Sequence, residues 1–319
     1  MADDIGPDRK EVEYLNEKGL RLMFCDRYEE AVEYFDRAIE LDPECFDAWI
    51  RRGDTLYRLG RHEKAIEALD KAIELGPGKA PPWNGKGQVL NALNRYEEAI
   101  ECLDKAIELD PEDPYPWSDK GISFLRMGKV DLALELFDEA LERDPNLDFV
   151  WHNKAQVFID QGNYEKAVEC YDEILDAYPD NPVIWNKKGL ALQALGKLDD
   201  AIESFDEATK APHGYAEAWY NRAVALDEQG RYKVAINCLN KAVKLDPEYV
   251  EAWQKKGAIL NDRGRYKEAI KCFDKVISLN PRSAEAWNNK GIALEALGRE
   301  SEAEKAFARA REMGGSDPT

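Results

Sequence analysis

The stretch WQKKGAILNDRGRYKEAIKCFDKVISLNP, Trp253–Pro281, decides the fold of this chain. Seven residues after its tryptophan stands Leu260, a spacing that places both on one face of a helix. Eleven after it stands Gly264, where the chain can leave that helix with φ > 0. Sixteen after it stands Ala269, followed four residues later by Phe273. That small and large pair lets a second helix pack closely on the first. Pro281 ends the second helix, because proline can begin a helix but cannot continue one. The stretch therefore reads as helix, turn, helix.

Working outward, the same unit recurs. Trp49, Trp83, Trp117, Trp151, Trp185, Trp219, Trp253 and Trp287 are separated by 34 residues without an insertion. One further step back reaches Leu15, giving nine members over residues 12–315, with 1–11 as an N-terminal extension and 316–319 as a C-terminal tip. Sixteen residues after each origin stands alanine, from Ala31 and Ala65 to Ala269 and Ala303. A glycine eleven residues on, such as Gly60 or Gly298, and a closing proline, such as Pro43 or Pro247, mark most units. A hairpin of two ~14-residue helices cannot bury its own apolar face, so each must stack on its neighbours. The ninth unit carries Glu304 and Arg311 where earlier units usually carry aliphatic residues, which suits a last hairpin with nothing stacked on it.

These residues resemble the tetratricopeptide-repeat (TPR) family, whose pattern is a tryptophan, a nearby glycine, a tyrosine opening the second helix, then spaced alanine, aromatic residue, alanine and proline. The resemblance covers over nine-tenths of the chain. It implies an all-α fold, a right-handed superhelical solenoid of nine helix-turn-helix hairpins, with eighteen helices holding more than two-thirds of the residues. It also implies that the first helices line a concave groove that holds a protein or peptide segment. Two features depart from the pattern. Where the family has leucine three residues after the tryptophan, this chain has Lys or Arg in every unit, from Lys18 and Arg52 to Lys290. Because aspartate precedes most of these by sixteen residues on the second helix, pairs such as Asp36 with Arg52 and Asp70 with Lys86 are expected between successive hairpins. In the sixth unit Pro212 arrives one residue early and His213 takes its place, so a different bend is expected there.

At ~100° per residue, positions −2, +1, +5, +8 and +9 from each tryptophan fall on a face that stacking does not require. That face is the expected ligand groove. Its middle offers the apolar side chains Tyr115, Ile122, Leu125, Phe149 and Ile159. Its last three repeats offer an acidic trough of Glu217, Asp227, Glu228, Glu251, Asp262, Glu285 and Glu295. One residue after the tryptophans run Asn84, His152, Asn186, Tyr220, Gln254 and Asn288, side chains able to bond a peptide backbone. Positions +1 and +5 contain no Lys or Arg, which argues against the chaperone-tail clamp known in this family.

The formal net charge of −20 argues against a phosphate backbone as main partner and suits a basic one. No run of ~18 apolar residues suggests a membrane span, and residues 1–11 hold no apolar signal segment, so a cytoplasmic location is expected. Cys102, Cys170, Cys238 and Cys272 recur at one phase of the repeat and read as small buried side chains, while Cys25 and Cys45 lack metal-ligand company. The three histidines, His62, His152 and His213, have no visible catalytic partner. The sequence thus predicts a non-enzymatic interaction module, without cofactor or metal, that binds an extended basic or apolar-basic protein segment, and no nucleic acid or membrane. The chain is expected to be a monomer, with weak self-association left open. The competing expectation is a scaffold that docks folded partners on its outer surface or edges, or self-associates through its N-terminal face, where Leu15 breaks the tryptophan series.

Overall fold

A computed structural model describes residues 7–212 and 214–314. The described residues form eighteen α-helices and no strand, and well over two-thirds of the chain is helical. They fall into two compact units, one ending at Val150 and one beginning at Trp151. The first contains the hairpins α1 (Pro7–Phe24) with α2 (Tyr28–Leu41), α3 (Phe46–Arg58) with α4 (His62–Leu75), α5 (Ala80–Ala92) with α6 (Tyr96–Leu109), and α7 (Pro114–Arg126) with α8 (Val130–Arg143). Helix α9 spans Asp148–Asp160. In the second unit α10 (Tyr164–Ala177) is followed by α11 (Pro182–Ala194) with α12 (Leu198–Ala208) and α13 (Ala216–Glu228) with α14 (Tyr232–Leu245). The last hairpins are α15 (Val250–Asp262) with α16 (Tyr266–Leu279) and α17 (Ala284–Ala296) with α18 (Glu300–Glu312).

Each hairpin closes for reasons visible in its residues. Gly257 lies so near its partner helix that a Cβ there would sit 2.6 Å from Phe273 Cε1, and the glycine lets the fully buried ring reach the first helix. The turn that follows places Gly264 at φ +72°, with Arg265 N–H donating to the Leu260 carbonyl at 2.8 Å. That bond satisfies a carbonyl which the helix end would leave bare. Two hairpins have no glycine at this turn, yet Asp26 and Asn94 adopt the same left-handed geometry at φ 56° and 59°. Short polar side chains tolerate that region better than others.

Successive hairpins are joined by two recurring contacts. The Trp83 indole N–H donates to the Pro77 carbonyl at 3.2 Å, and Trp49, Trp117, Trp185, Trp253 and Trp287 do the same to the proline six residues before each. The basic residue after the tryptophan meets the preceding hairpin's aspartate: Arg52 with Asp36, Lys86 with Asp70, Lys120 with Asp104 and Lys188 with Asp172 at 2.5 Å, Arg222 with Asp206 at 2.9 Å, and Lys290 with Asp274 at 2.6 Å. Several of these cations also lie over their own tryptophan ring, Lys188 at 5.0 Å from the Trp185 centroid and Lys290 at 5.2 Å from Trp287. The family's leucine is thus replaced by a side chain whose stem covers the indole while its head binds the neighbouring hairpin. Alanine replacement of Asp70 and Lys86, singly and together, is expected to give a coupling energy of about 0.5–1 kcal/mol that shrinks as salt is added. A coupling of zero in low salt would remove the ladder from the forces holding the stack.

The sixth unit differs as its early proline foretells. Helix α12 has 11 residues where most second helices have 14, and Gly214 follows at φ +75°. A residue before proline is disfavoured in helical geometry, so the helix ends ahead of Ala211 and Pro212. His213 lies outside the described residues. At the last hairpin Glu304 and Arg311 are exposed, while Ala303, Ala306 and Ala310 face inward.

Candidate functional site

In the first unit, the face expected to line the groove runs over α3, α5 and α7 and reaches Phe149 at the start of α9. Tyr115 stacks on Phe149, the residue one period later, with ring centroids 6.1 Å apart and planes 7° from parallel. Both rings stay well exposed, at 48% and 37%. Ile122 and Leu125 are half-buried on α7. Beside them lies a group that position counting left out, Asp119, two residues after Trp117. Gln88 Nε2 donates to its carboxylate at 2.7 Å, and Asn91 Nδ2 donates to its backbone carbonyl at 3.0 Å. These residues share an open cavity of about 660 Å³ with Tyr57, Arg58, Ile122 and Arg126. Burial pushes the Asp119 carboxyl up to about 6, and does the same for Asp54 on α3. Asn84 keeps a buried Oδ1 without a hydrogen-bond partner.

In the second unit, the expected groove residues separate into committed and uncommitted groups. Asn186 was expected to offer its amide to a peptide backbone, and here the structure corrects the expectation. It is 1% exposed, its Nδ2 lies 3.2 Å from Glu217 Oε1 and 3.4 Å from Tyr215 Oη, and its Oδ1 accepts from Asn221 at 3.0 Å. The next hairpin's Tyr215 and Glu217 close over it. Tyr215 also donates to Glu217 at 3.0 Å, and burial with that carboxylate beside it pushes the phenol up to about 12. His152 Nε2 lies 2.9 Å from Lys187 Nζ, whose pKa burial lowers. Tyr220 packs on Tyr249 with centroids 5.2 Å apart, and burial raises both phenols. Ile159 is half-buried on α9.

The acidic trough divides in the same way. Asp227 is bound by Lys255 at 2.7 Å, and Glu228 accepts from Gln193 at 2.7 Å. Those two are not bare anions awaiting a ligand. Glu251, Asp262, Glu285 and Glu295 are exposed, and none of the four makes an ion pair among the described residues. On the same helices, both amide atoms of Gln254 and Oδ1 of Asn288 are buried and without a hydrogen-bond partner among the described residues. Lys255 and Lys187, like Asp119, stand two residues after a tryptophan. A helical wheel puts that position at about 200°, adjacent to +9 at about 180°, so it belongs on the groove face and could have been included. Among the described residues no three His, Cys, Asp or Glu side chains are grouped to hold a metal, and no helix is long and apolar enough to cross a membrane.

Family models described as tetratricopeptide repeat match residues 17–80, 118–182, 186–250, 220–273 and 256–318, and one described as TPR repeat matches 87–128. A comparison with curated protein sequences finds no match. Among solved structures, the chain is similar to the C-terminal part of a TPR repeat-containing protein from Cytophaga hutchinsonii, with 16% identity over 75% of this chain and 98% of that one and a TM-score of 0.66. It is also similar to PilF of Pseudomonas aeruginosa, with 21% identity over 71% of this chain and 100% of that one and a TM-score of 0.56. A crystallised MamA protein is 28% identical over 52% of this chain and 91% of that one, with a TM-score of 0.49.

Proposed function

Because the chain belongs to the tetratricopeptide-repeat family, we propose that it is a non-catalytic protein-interaction scaffold whose groove face in the second unit holds an extended basic or apolar-basic segment of a partner. The observation that carries this reading is the division of the trough. Glu217, Asp227 and Glu228 are engaged by neighbours, whereas Glu251, Asp262, Glu285 and Glu295 stand exposed without a counter-ion. Their mutual repulsion slightly destabilises the fold, and a cationic segment would relieve it. Alongside, Gln254 and Asn288 hold buried polar atoms that lack hydrogen-bond partners among the described residues, and turning these side chains outward to an extended backbone would satisfy them. The first unit has an apolar shelf of its own, the Tyr115–Phe149 pair.

The test uses a fluorescein-labelled peptide of alternating lysine and leucine, with its glutamate counterpart as control. The basic peptide is expected to bind and the acidic one to bind this face poorly. Affinity should fall with salt, because exposed charges are screened beyond ~8 Å at physiological ionic strength. Changing Glu251, Asp262 and Glu285 together to lysine is expected to weaken the basic peptide at least ~10-fold, about 1.4 kcal/mol, and to leave the melting temperature nearly unchanged. Equal binding by the variant and the unaltered protein would show these carboxylates to be only a solvated face.

A further inference from the structure

A second surface, sharing no residue with the groove face, lacks an ion pair that four other hairpins make. The residue before most second helices is basic, and in four hairpins it closes on a glutamate three residues later: Arg27 on Glu30 and Arg95 on Glu98 at 2.5 Å, Arg299 on Glu302 at 2.6 Å, and Arg265 on Glu268 at 2.8 Å. In the seventh hairpin Val234 stands where those glutamates stand. Among the described residues Arg231 therefore has no carboxylate partner, and its guanidinium donates to Gln229 Oε1 at 3.4 Å. Val234 itself is 38% exposed. With Tyr232 and Ile236 it floors an open cavity of about 530 Å³ at the turn edge of the seventh and eighth hairpins.

The rim of that cavity carries Arg231, Lys233 and Arg263. Arg263 lies over the Tyr232 ring, its Cζ 3.3 Å from the centroid. Stacking leaves the N–H edge of a guanidinium turned outward, able to take a carboxylate with two parallel hydrogen bonds. Among the described residues none of these three cations has an ion pair, whereas the nearby Arg265 is committed to Glu268. In a chain of net charge −20, an apolar floor ringed by unpaired cations is a local reversal of sign.

We propose that this edge pocket docks an acidic segment of a partner protein, one large apolar side chain resting on Tyr232, Val234 and Ile236 and flanking carboxylates meeting Arg231, Lys233 and Arg263. Charge complementarity selects the occupant, since the groove's basic ligand would be repelled here. Apolar burial contributes affinity, and the guanidiniums fix register.

The test measures fluorescence anisotropy of a labelled peptide with one phenylalanine between runs of glutamate, added to the full chain. Val234→Glu restores the residue found in four sister hairpins, so it keeps the fold while giving Arg231 an internal partner. Binding is expected to drop at least ~10-fold in that variant, and by a similar factor when the peptide's phenylalanine becomes alanine. The lysine triple variant of the groove should bind this peptide no less tightly than the unaltered protein. Absence of measurable binding, or binding unchanged by Val234→Glu, would overturn the proposal. So would light scattering in which the unaltered protein is a dimer and Val234→Glu a monomer, because the pocket would then be covered by a second copy.

Discussion

Phe273→Ala is expected to cost the second unit about 3–5 kcal/mol, the range for emptying a fully buried aromatic site. The ring has no exposed surface and packs in one cluster with Leu239, Ala242, Ile259, Leu260 and Ala269. Its close approach to Gly257 leaves little slack for the walls to collapse inward. Stacked repeats exchange stability chiefly with their nearest neighbours, so the loss should remain local. Urea titration followed by circular dichroism should show a shallow early transition, not one uniform shift of the curve. Phe307→Ala, at the equivalent place in the half-buried last hairpin, should cost less. Equal costs at both sites would contradict a core that deepens away from the terminal hairpin.

The second large effect concerns pH. Asp119 has its carboxyl pushed up to about 6 by burial, against an ordinary value of 3.8. Raised in the folded state, the group binds protons more readily folded than unfolded, so its burial weakens the fold as pH rises through that interval. The penalty is complete above about 6 and absent below about 3.8. Asp119→Asn should therefore gain stability of the order of 1–2 kcal/mol at pH 7.5 and little at pH 4, since the amide removes the charge while keeping the shape. Matched urea denaturations at the two pH values measure this. A loss of stability at pH 7.5 would mean that the hydrogen bond from Gln88 outweighs desolvation.

Much of this architecture could be read from residue spacing, because the tryptophans, alanines and glycines that set helix contacts lie within one hairpin or one period of each other. The ladder from Asp36 and Arg52 to Asp274 and Lys290 was legible for the same reason, its offset never changing. The left-handed turns at Asp26 and Asn94 were not, since neither residue requires that geometry and the surrounding hairpin imposes it. The expected groove was legible only as a helix face. Whether a side chain on it is available depends on what the next hairpin brings, as Tyr215 and Glu217 cover Asn186 and Lys255 neutralises Asp227. Such closures join residues about thirty apart whose identities vary from repeat to repeat, so no period announces them. The half-buried Asp119 was missed similarly, because its desolvation depends on α5 and its Gln88 and Asn91.

The fixed offsets between successive hairpins also bear on how such a molecule can change its length. Asp70 lies sixteen residues before Lys86, and Trp83 six residues after Pro77. Excision of residues 71–104 would leave Asp70 sixteen residues ahead of Lys120, with Trp117 still six after Pro111. The bonds would re-form with new partners of the same kind. Duplication or unequal exchange in whole periods is therefore nearly neutral for the joints, while it moves each individual groove residue a full step along the array. Copy number becomes a variable that inheritance can adjust without redesigning any joint, and the surface offered to partners is what changes.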